Sequence, residues 1–245
     1  MTHIDELFEQ SQGRYGSPRI SQDLQALGIR CSQNGVAQLM KELKLVVRKA
    51  RKFVATTDSG HAFAIAQNLL NREYQVEVVA GVNRAWAGDI TYIATAQGWL
   101  YVAVVLDLKS RKVIGSSMKD SLEQTLVHEA LAMAVGQRFS TEVAEPLLFD
   151  SDRGSQYAAH DYQGRLEDWG ITCSMSRRGN CWDNAPVESF FATLKKEEVY
   201  RQKYLTHAQA KASLFYYIEG FYNRKQRHST LGYLRPQDYE QSLLN

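Results

Sequence analysis

Glu188 and Lys195 stand seven residues apart in a stretch, Arg177 to Lys195, that reads as a loop running into a helix. Pro186 suits a first helical turn, where an N–H has no intrahelical partner to lose. Val187, Phe190, Phe191 and Leu194 recur at helical spacing and predict one buried stripe. Seven residues are nearly two turns, so Glu188 and Lys195 share a face, about 10 Å apart along the axis. A carboxylate at the head of a helix and a cation two turns on suit a metal ligand followed by a phosphate contact. The same pair equally suits a solvated face of an ordinary amphipathic helix. Only partners elsewhere in the chain can separate the two readings.

The elements that would position such partners follow from pattern. Residues 12–47 read as two short helices with a turn between. Ser17-Pro18 opens the first, Ile20, Leu24 and Leu27 form its stripe, and Gly28 stops it. Ser32 caps the second, which carries Val36, Leu39, Met40 and Leu43, while Tyr15 and Ile29 close a small core. This outline fits a helix-turn-helix as well as it fits a plain helical hairpin. Residues 53–85 are poorly periodic and read as a linker, with a strand-like run at Val76–Val79.

From Trp86 the pattern becomes α/β. Asp89 to Thr95, Trp99 to Leu108 and Val113 to Met118 predict three antiparallel strands, the middle one apolar enough to be buried on both faces. Ser121 is expected to cap a helix with Gln124 in the reciprocal position. A strand at Leu147–Phe149, a helix from His160 to a stop at Gly170, a strand at Ile171–Met175, the opening helix and another reaching Tyr222 complete the order. Three strands, helix, strand, helix, strand, helix is the order of the ribonuclease H-like fold, a mixed five-stranded sheet flanked by helices. Its first strand ends beside its fourth and the late helix, so Asp89, Asp152 and Glu188 can converge.

The chain has 245 residues, 44% hydrophobic and 23% charged, enough for one sizeable folded domain with a small appendage. Net charge is only +2, so the total implies no partner. Its distribution does: six basic residues lie between Lys41 and Lys52 against Glu42 alone, and nine between Lys195 and Arg235 against three glutamates. Such segments suit a phosphate backbone or a solvated surface. Cys31, Cys173 and Cys181 have neither disulfide nor zinc spacing, and reduced thiols are expected. The start shows no signal peptide, and no apolar run is long enough to span a bilayer, so a cytoplasmic protein with no membrane partner is expected.

Three motifs carry a resemblance. Gly88-Asp89-Ile90-Thr91-Tyr92, Ser151-Asp152-Arg153-Gly154-Ser155-Gln156-Tyr157 and Asn184-Ala185-Pro186-Val187-Glu188-Ser189-Phe190-Phe191, with 35 residues between Asp152 and Glu188, resemble the Asp-Asp-(35)-Glu transposases and retroviral-type integrases. The tail Tyr222-Asn223-Arg224 with Arg227-His228-Ser229, and the helices from Tyr15-Gly16 to Arg48, are similar to the second-frame transposases of the IS3 insertion-sequence family. The resemblance implies a helix-turn-helix in 1–52, a linker in 53–85, an integrase catalytic core in 86–205 and a basic helical tail in 206–245. It implies a nucleoid-bound DNA transposase, acting on terminal inverted repeats and target DNA as a homo-oligomer and working with, or fused to, an upstream-frame protein.

Two Mg²⁺ (or Mn²⁺) ions are implied, with Asp89 bridging both, Asp152 holding one and Glu188 the other. Lys195 is expected to meet a phosphate near the cut end. Arg178, Asn184, Trp182, Arg48, Lys49, Arg51, Lys52, Arg227 and His228 are expected to touch DNA; core packing is the alternative for Trp182, and a structural role for Arg227 and His228. Asp107 is expected to cap a turn and Asp183 to cap the late helix. Asp150 departs from the family, which commonly carries His there. Two other readings remain: a catalytically inactive or partner-dependent DNA-binding regulator of transposition, and a ribonuclease H, which leaves the N-terminal helices and basic tail unexplained.

Overall fold

A computed structural model of the chain describes residues 2–47, 63–139, 146–177 and 181–244. The chain opens with α1 (Thr2–Gln10), α2 (Ser17–Ala26) and α3 (Gln33–Glu42), then enters β1 (Ala85–Thr95), β2 (Gly98–Asp107) and β3 (Val113–Lys119). It continues through α4 (Gln124–Arg138), β4 (Leu147–Ser151), α5 (Ser155–Ala158), α6 (His160–Asp168) and β5 (Ile171–Met175). The last part holds α7 (Ala185–Glu197), α8 (His207–Phe215), a π-helical stretch Tyr216–Tyr222 and α9 (Pro236–Leu244).

The five strands form one sheet in the order β3-β2-β1-β4-β5. β1, β2 and β3 are an antiparallel meander, and β4 and β5 add in parallel to β1. This is the ribonuclease H-like arrangement that the sequence order predicts. Successive strand residues face opposite sides, which sorts the core into two layers. Val102, Val104 and Leu106 of β2 face a layer shared with α2, α3, α7 and the π-helical stretch. Ala103 and Val105 face the other layer, under α4 and α6. β2 is therefore buried on both faces, as its near-continuous apolar run requires.

Several local expectations hold. Ser32 caps α3, its Oγ accepting from the Gly35 amide at 3.1 Å. Gly28 and Gly170 take positive φ just past α2 and α6, as stop residues do. Tyr15 is buried, with Ile29 packed on the same core.

Others are corrected. Ser121 does not cap α4: the helix starts from Glu123 with no side-chain cap, and the Ser121 hydroxyl donates to the Glu123 carboxylate instead. Val76–Val79 is a turn rather than a strand: the Val78 and Val79 amides donate back to the Gln75 carbonyl, and the Val76 and Val79 carbonyls accept from Lys109 Nζ at 2.8 Å. Leu27 and Leu39 are exposed, so the stripes of α2 and α3 narrow to Ile20 and Leu24, and to Val36 and Met40 with Leu43 half-buried on the same core just past α3. α1 is an addition that the pattern did not suggest, and α9 lies in the tail expected to be helical.

β3 can approach α4 closely because residue 115 is glycine. A Cβ there would sit 2.1 Å from the Ala130 carbonyl oxygen and 3.0 Å from Ala134 Cβ, so the backbone itself would have to move. Gly115→Ala should therefore cost about 3 kcal/mol, the upper end of ordinary overpacking, read as a lower midpoint in urea unfolding.

Candidate active site

The parallel ladder between β1 and β4 pairs Ala85 with Leu148 through Gly88 with Ser151 and then stops. Asp89 and Asp152 are the next residues of the two chains, so both carboxylates arise where the strands part, at the C-terminal end of β4. Alternation directs Asp89 to the side of Ala85 and Ala87, the layer that α7 covers. Gly88 faces the other way: a Cβ would lie 2.6 Å from Phe149 Cζ, so only glycine fits between Asp89 and the β4 core.

α7 is built as its sequence predicts. Pro186 lies in the first turn, and Val187, Phe190, Phe191 and Leu194 are all buried. Glu188 is exposed at its head, whereas Lys195 is only 6% exposed. Lys195 Nζ stands 5.3 Å from the centre of the Tyr92 ring and interacts with Asp89. That burial removes the solvated-face reading for the lysine. A buried cation beside a half-buried carboxylate whose pKa is strongly shifted marks a candidate site.

The charges press on one another. Asp89 titrates well above the usual carboxylate range, first because it is buried, then because Asp152 and Glu188 repel its charge; the Ile90 amide, at 2.7 Å, and Lys195 offset part of this. Glu188, though exposed, is raised by partial desolvation and then by the charge of Asp152. Burial pushes Lys195 down to about 8, with Asp89 opposing. Asp152 Oδ1 accepts from the Gly154 amide at 2.9 Å, which turns the chain at the end of β4. Among the described residues, no three His, Cys, Asp or Glu side chains lie close enough to hold one ion between them. Carboxylates that repel one another, as Asp89 does Asp152 and Glu188, still suit divalent cations, each of which needs only one or two protein carboxylates.

The other acidic residues sort by their partners. Asp107 caps its turn: Oδ1 accepts from the Lys109 and Ser110 amides and the Ser110 hydroxyl, and Oδ2 from the Asn83 amide. Asp150 is buried on β4, raised to about 7 by burial, and accepts from Ser174 Oγ at 2.6 Å and from Ser176 Oγ. Ser174 Oγ in turn accepts from the Leu69 and Leu70 amides, which pins that segment to the sheet. Asp183 does not cap α7. Its buried carboxylate accepts from Arg177 Nε and the Arg177 amide, both at 2.9 Å, from Arg72 Nε at 2.7 Å and from Asn68 Nδ2 at 3.1 Å.

Of the expected DNA contacts, Arg48, Lys49, Arg51, Lys52 and Arg178, together with the Trp182 side chain, lie outside the described residues. Asn184 is turned inward, Nδ2 donating to the Gly88 carbonyl at 3.2 Å, so it ties the head of α7 to β1 beside Asp89. Arg227 is ion-paired with Asp23 and donates to the Tyr233 carbonyl. His228 is half-buried, burial holding it down to about 4, with Thr230 Oγ1 2.8 Å from Nδ1. Sequence reasoning missed the inward role of Asn184 and the Asp150–Ser174 link, since neither carries a local spacing signal.

Among known families, residues 80–181 match the integrase core domain, 169–236 a second integrase core domain family, and 1–53 an HTH-like domain. Fold and family matches together define an integrase-core protein with a helix-turn-helix-like N-terminal part. Over 233 residues the chain is 40% identical to the transposase InsF for insertion sequence IS3A of Escherichia coli K12, covering 95% of this chain and 79% of that protein. It is equally 40% identical, over 222 residues, to an uncharacterized 31 kDa protein of insertion element IS600 from Shigella sonnei, covering 91% and 79%. The chain belongs to the IS3 family of transposases. Among solved structures, the fold matches the HTLV-2 integrase catalytic core domain in complex with magnesium, with a TM-score of 0.50 at 16% identity, over 66% of this chain and 98% of that one. That likeness is one of fold. Among the described residues no helix is long and apolar enough to cross a membrane.

Asp183 yields a direct test. Hydrogen bonds from Arg177, and then from Arg72, hold its carboxyl far below the usual carboxylate range. A depressed pKa adds stability that is complete above the unfolded value, near pH 4, and is lost as pH falls towards the folded value. Asp183→Asn should cost about 2 kcal/mol at pH 7, within the range for charged hydrogen bonds. In urea titrations the gap to the parent should narrow steadily below about pH 4.

Proposed function

We propose that the chain binds the terminal inverted repeats of its insertion sequence and catalyses metal-dependent strand cleavage and strand transfer at Asp89, Asp152 and Glu188. The observation that carries this reading is the half-buried Asp89 carboxyl, repelled by Asp152 and Glu188 at the point where β1 and β4 part. Residues 86–205 act as the catalytic core and 1–52 as the part that recognises DNA ends. Residues 53–85 link the two, and the basic tail is 206–245. Target DNA enters the same pocket, and the working form is a homo-oligomer assembled on DNA, with an upstream-frame protein or fusion as its partner.

Asp89 and Asp152 would hold one Mg²⁺ or Mn²⁺, and Asp89 and Glu188 a second. Bound there, such ions supply Lewis acidity to the phosphoryl oxygens and lower the pKa of the attacking hydroxyl. Asp89, rigid on the central strand, fixes the shared position, while Asp152 and Glu188 approach from a loop and a helix head. In the first reaction water attacks an end phosphodiester, the P–O3′ bond breaks and a free 3′-hydroxyl remains. In the second that hydroxyl attacks a target phosphodiester, so one P–O3′ bond forms as another breaks. No protein nucleophile is needed. Lys195 adds positive charge beside Asp89 and steadies a phosphate near the cut end. Arg48, Lys49, Arg51 and Lys52 track the backbone, where salt-dependent contacts position the DNA without reading its sequence.

The test uses labelled element-end DNA, Mg²⁺ and the upstream-frame product, with Asp152→Asn alongside. The parent should nick and join the ends. Asp152→Asn should bind them within about twofold yet lose more than about 100-fold in rate, beyond the range typical of outer-shell partners of a metal site. A parent that binds ends but neither nicks nor joins would establish a DNA-binding regulator instead.

A further inference from the structure

α7 carries Glu188 at its head, but its foot is held by the N-terminal helices. Glu197 and Glu198, the last helical residue and its cap, are 5% and 7% exposed. Two adjacent carboxylates buried together require partners. The arginines that answer them come from the opposite end of the chain. Arg19 Nη1 pairs with Glu197 Oε1 at 2.7 Å, and Arg14 Nη2 pairs with Glu198 Oε2. Arg14 Nε also donates to the Glu197 backbone carbonyl at 3.2 Å, which satisfies an acceptor that the helix end leaves open.

The rest of the pocket fixes these groups in turn. The Arg14 guanidinium lies 4.5 Å from the centre of the Phe221 ring and 5.5 Å from that of Tyr217, both in the π-helical stretch. Tyr217 Oη donates to Glu197 Oε2 at 3.0 Å. The Gln226 amide, with its nitrogen towards Glu197 and Tyr217, accepts from Arg19 Nη2 at 3.0 Å. Tyr15, one residue after Arg14, donates to the Lys225 carbonyl and accepts from the Arg227 amide. The foot of α7, the start of α2 and the turn after Tyr222 thus meet in one buried polar network.

We propose that Arg14 and Arg19 are positioning residues for the acidic site: they set the axial register and rotation of α7, and through it the place of Glu188 and Lys195. This rests on the assignment of Glu188 as a metal ligand. The physical ground is a division of labour along the helix. The stripe of Val187, Phe190, Phe191 and Leu194 supplies burial, which is non-directional and tolerates sliding or turning. Paired charges in a buried pocket do not, and fixing register is the best-attested use of such groups. Glu188 is nine residues from Glu197, about 13.5 Å along a helix that moves as a rod. The N-terminal helices therefore act on the chemistry as well as on DNA.

Full-length Arg14→Met/Glu198→Gln keeps the volume and removes both charges, so neither partner is left buried and unpaired. Terbium(III), which seeks carboxylate oxygens and emits when a nearby tyrosine is excited, reports the site without turnover. Glu188→Gln serves as the control. We expect the double variant to melt within a few degrees of the parent and to bind element ends unchanged. It should bind terbium at least fivefold more weakly and join precut ends at least tenfold more slowly. Parent-like terbium binding and joining, with Glu188→Gln impaired in both, would overturn the positioning role alone. If Glu188→Gln also binds terbium like the parent, the ligand assignment itself fails. Should the double variant not fold, Arg19→Lys with Tyr217→Phe is read in the same way, with the same outcomes.

Discussion

Asp89 stands where two parallel strands separate, half-buried and repelled by Asp152 and Glu188, an arrangement that folding by itself disfavours. Desolvation on the central strand raises its pKa, and neighbouring negative charge raises it further. The surrounding structure is arranged to hold it there. Gly88 lets Phe149 close the opposite face of β1, so the strand cannot turn Asp89 away. Asn184 ties the loop before α7 to the Gly88 carbonyl, and Lys195 brings a buried cation to the same side. Stability given up at such a point is the usual cost of a functional site.

The two faces of the sheet share the work unequally. The α4 and α6 side is almost wholly apolar, from Trp86 and Ile114 to Leu126 and Phe149. It supplies the burial that makes the sheet rigid, and the absence of a side chain at Gly115 lets α4 come close. The α7 side carries the polar work. The acidic cluster, the Asp150–Ser174 link to the 69–70 segment and the arginine–glutamate pairs all lie there. A rigid back and a polar front let carboxylates sit at fixed places without a large dedicated loop.

The N-terminal helices are joined to the remainder by more than a chain connection. Arg14, Tyr15, Arg19 and Asp23 each bond to residues between 197 and 227. α3, by contrast, buries only Val36 and Met40 and leaves the rest of its surface open. One helix of the pair anchors and the other presents, the division that a helix-turn-helix uses on DNA.

Much of this was legible in the sequence, because periodicity and local caps are themselves local. The β2 run, the stripe of α7, Ser32 as a cap and the stops at Gly28 and Gly170 follow from residue type and spacing, and with them the order of strands and helices. That order, with the spacing from Asp152 to Glu188, is what singles out the three carboxylates proposed as the site. Tertiary structure decided what those signals could not reach. Lys195 reads as solvated or functional on the helix alone, and only the covering sheet buries it against Tyr92. Asp183 looks like a helix cap, yet two arginines compete for it more strongly than the α7 amides. Val76–Val79 has the composition of a strand, but a lysine 30 to 33 residues away takes its carbonyls. The pairing of Arg14 and Arg19 with Glu198 and Glu197 spans 184 and 178 residues and leaves no trace in spacing. Contacts of that range depend on how elements pack, and packing is what a one-dimensional pattern does not contain.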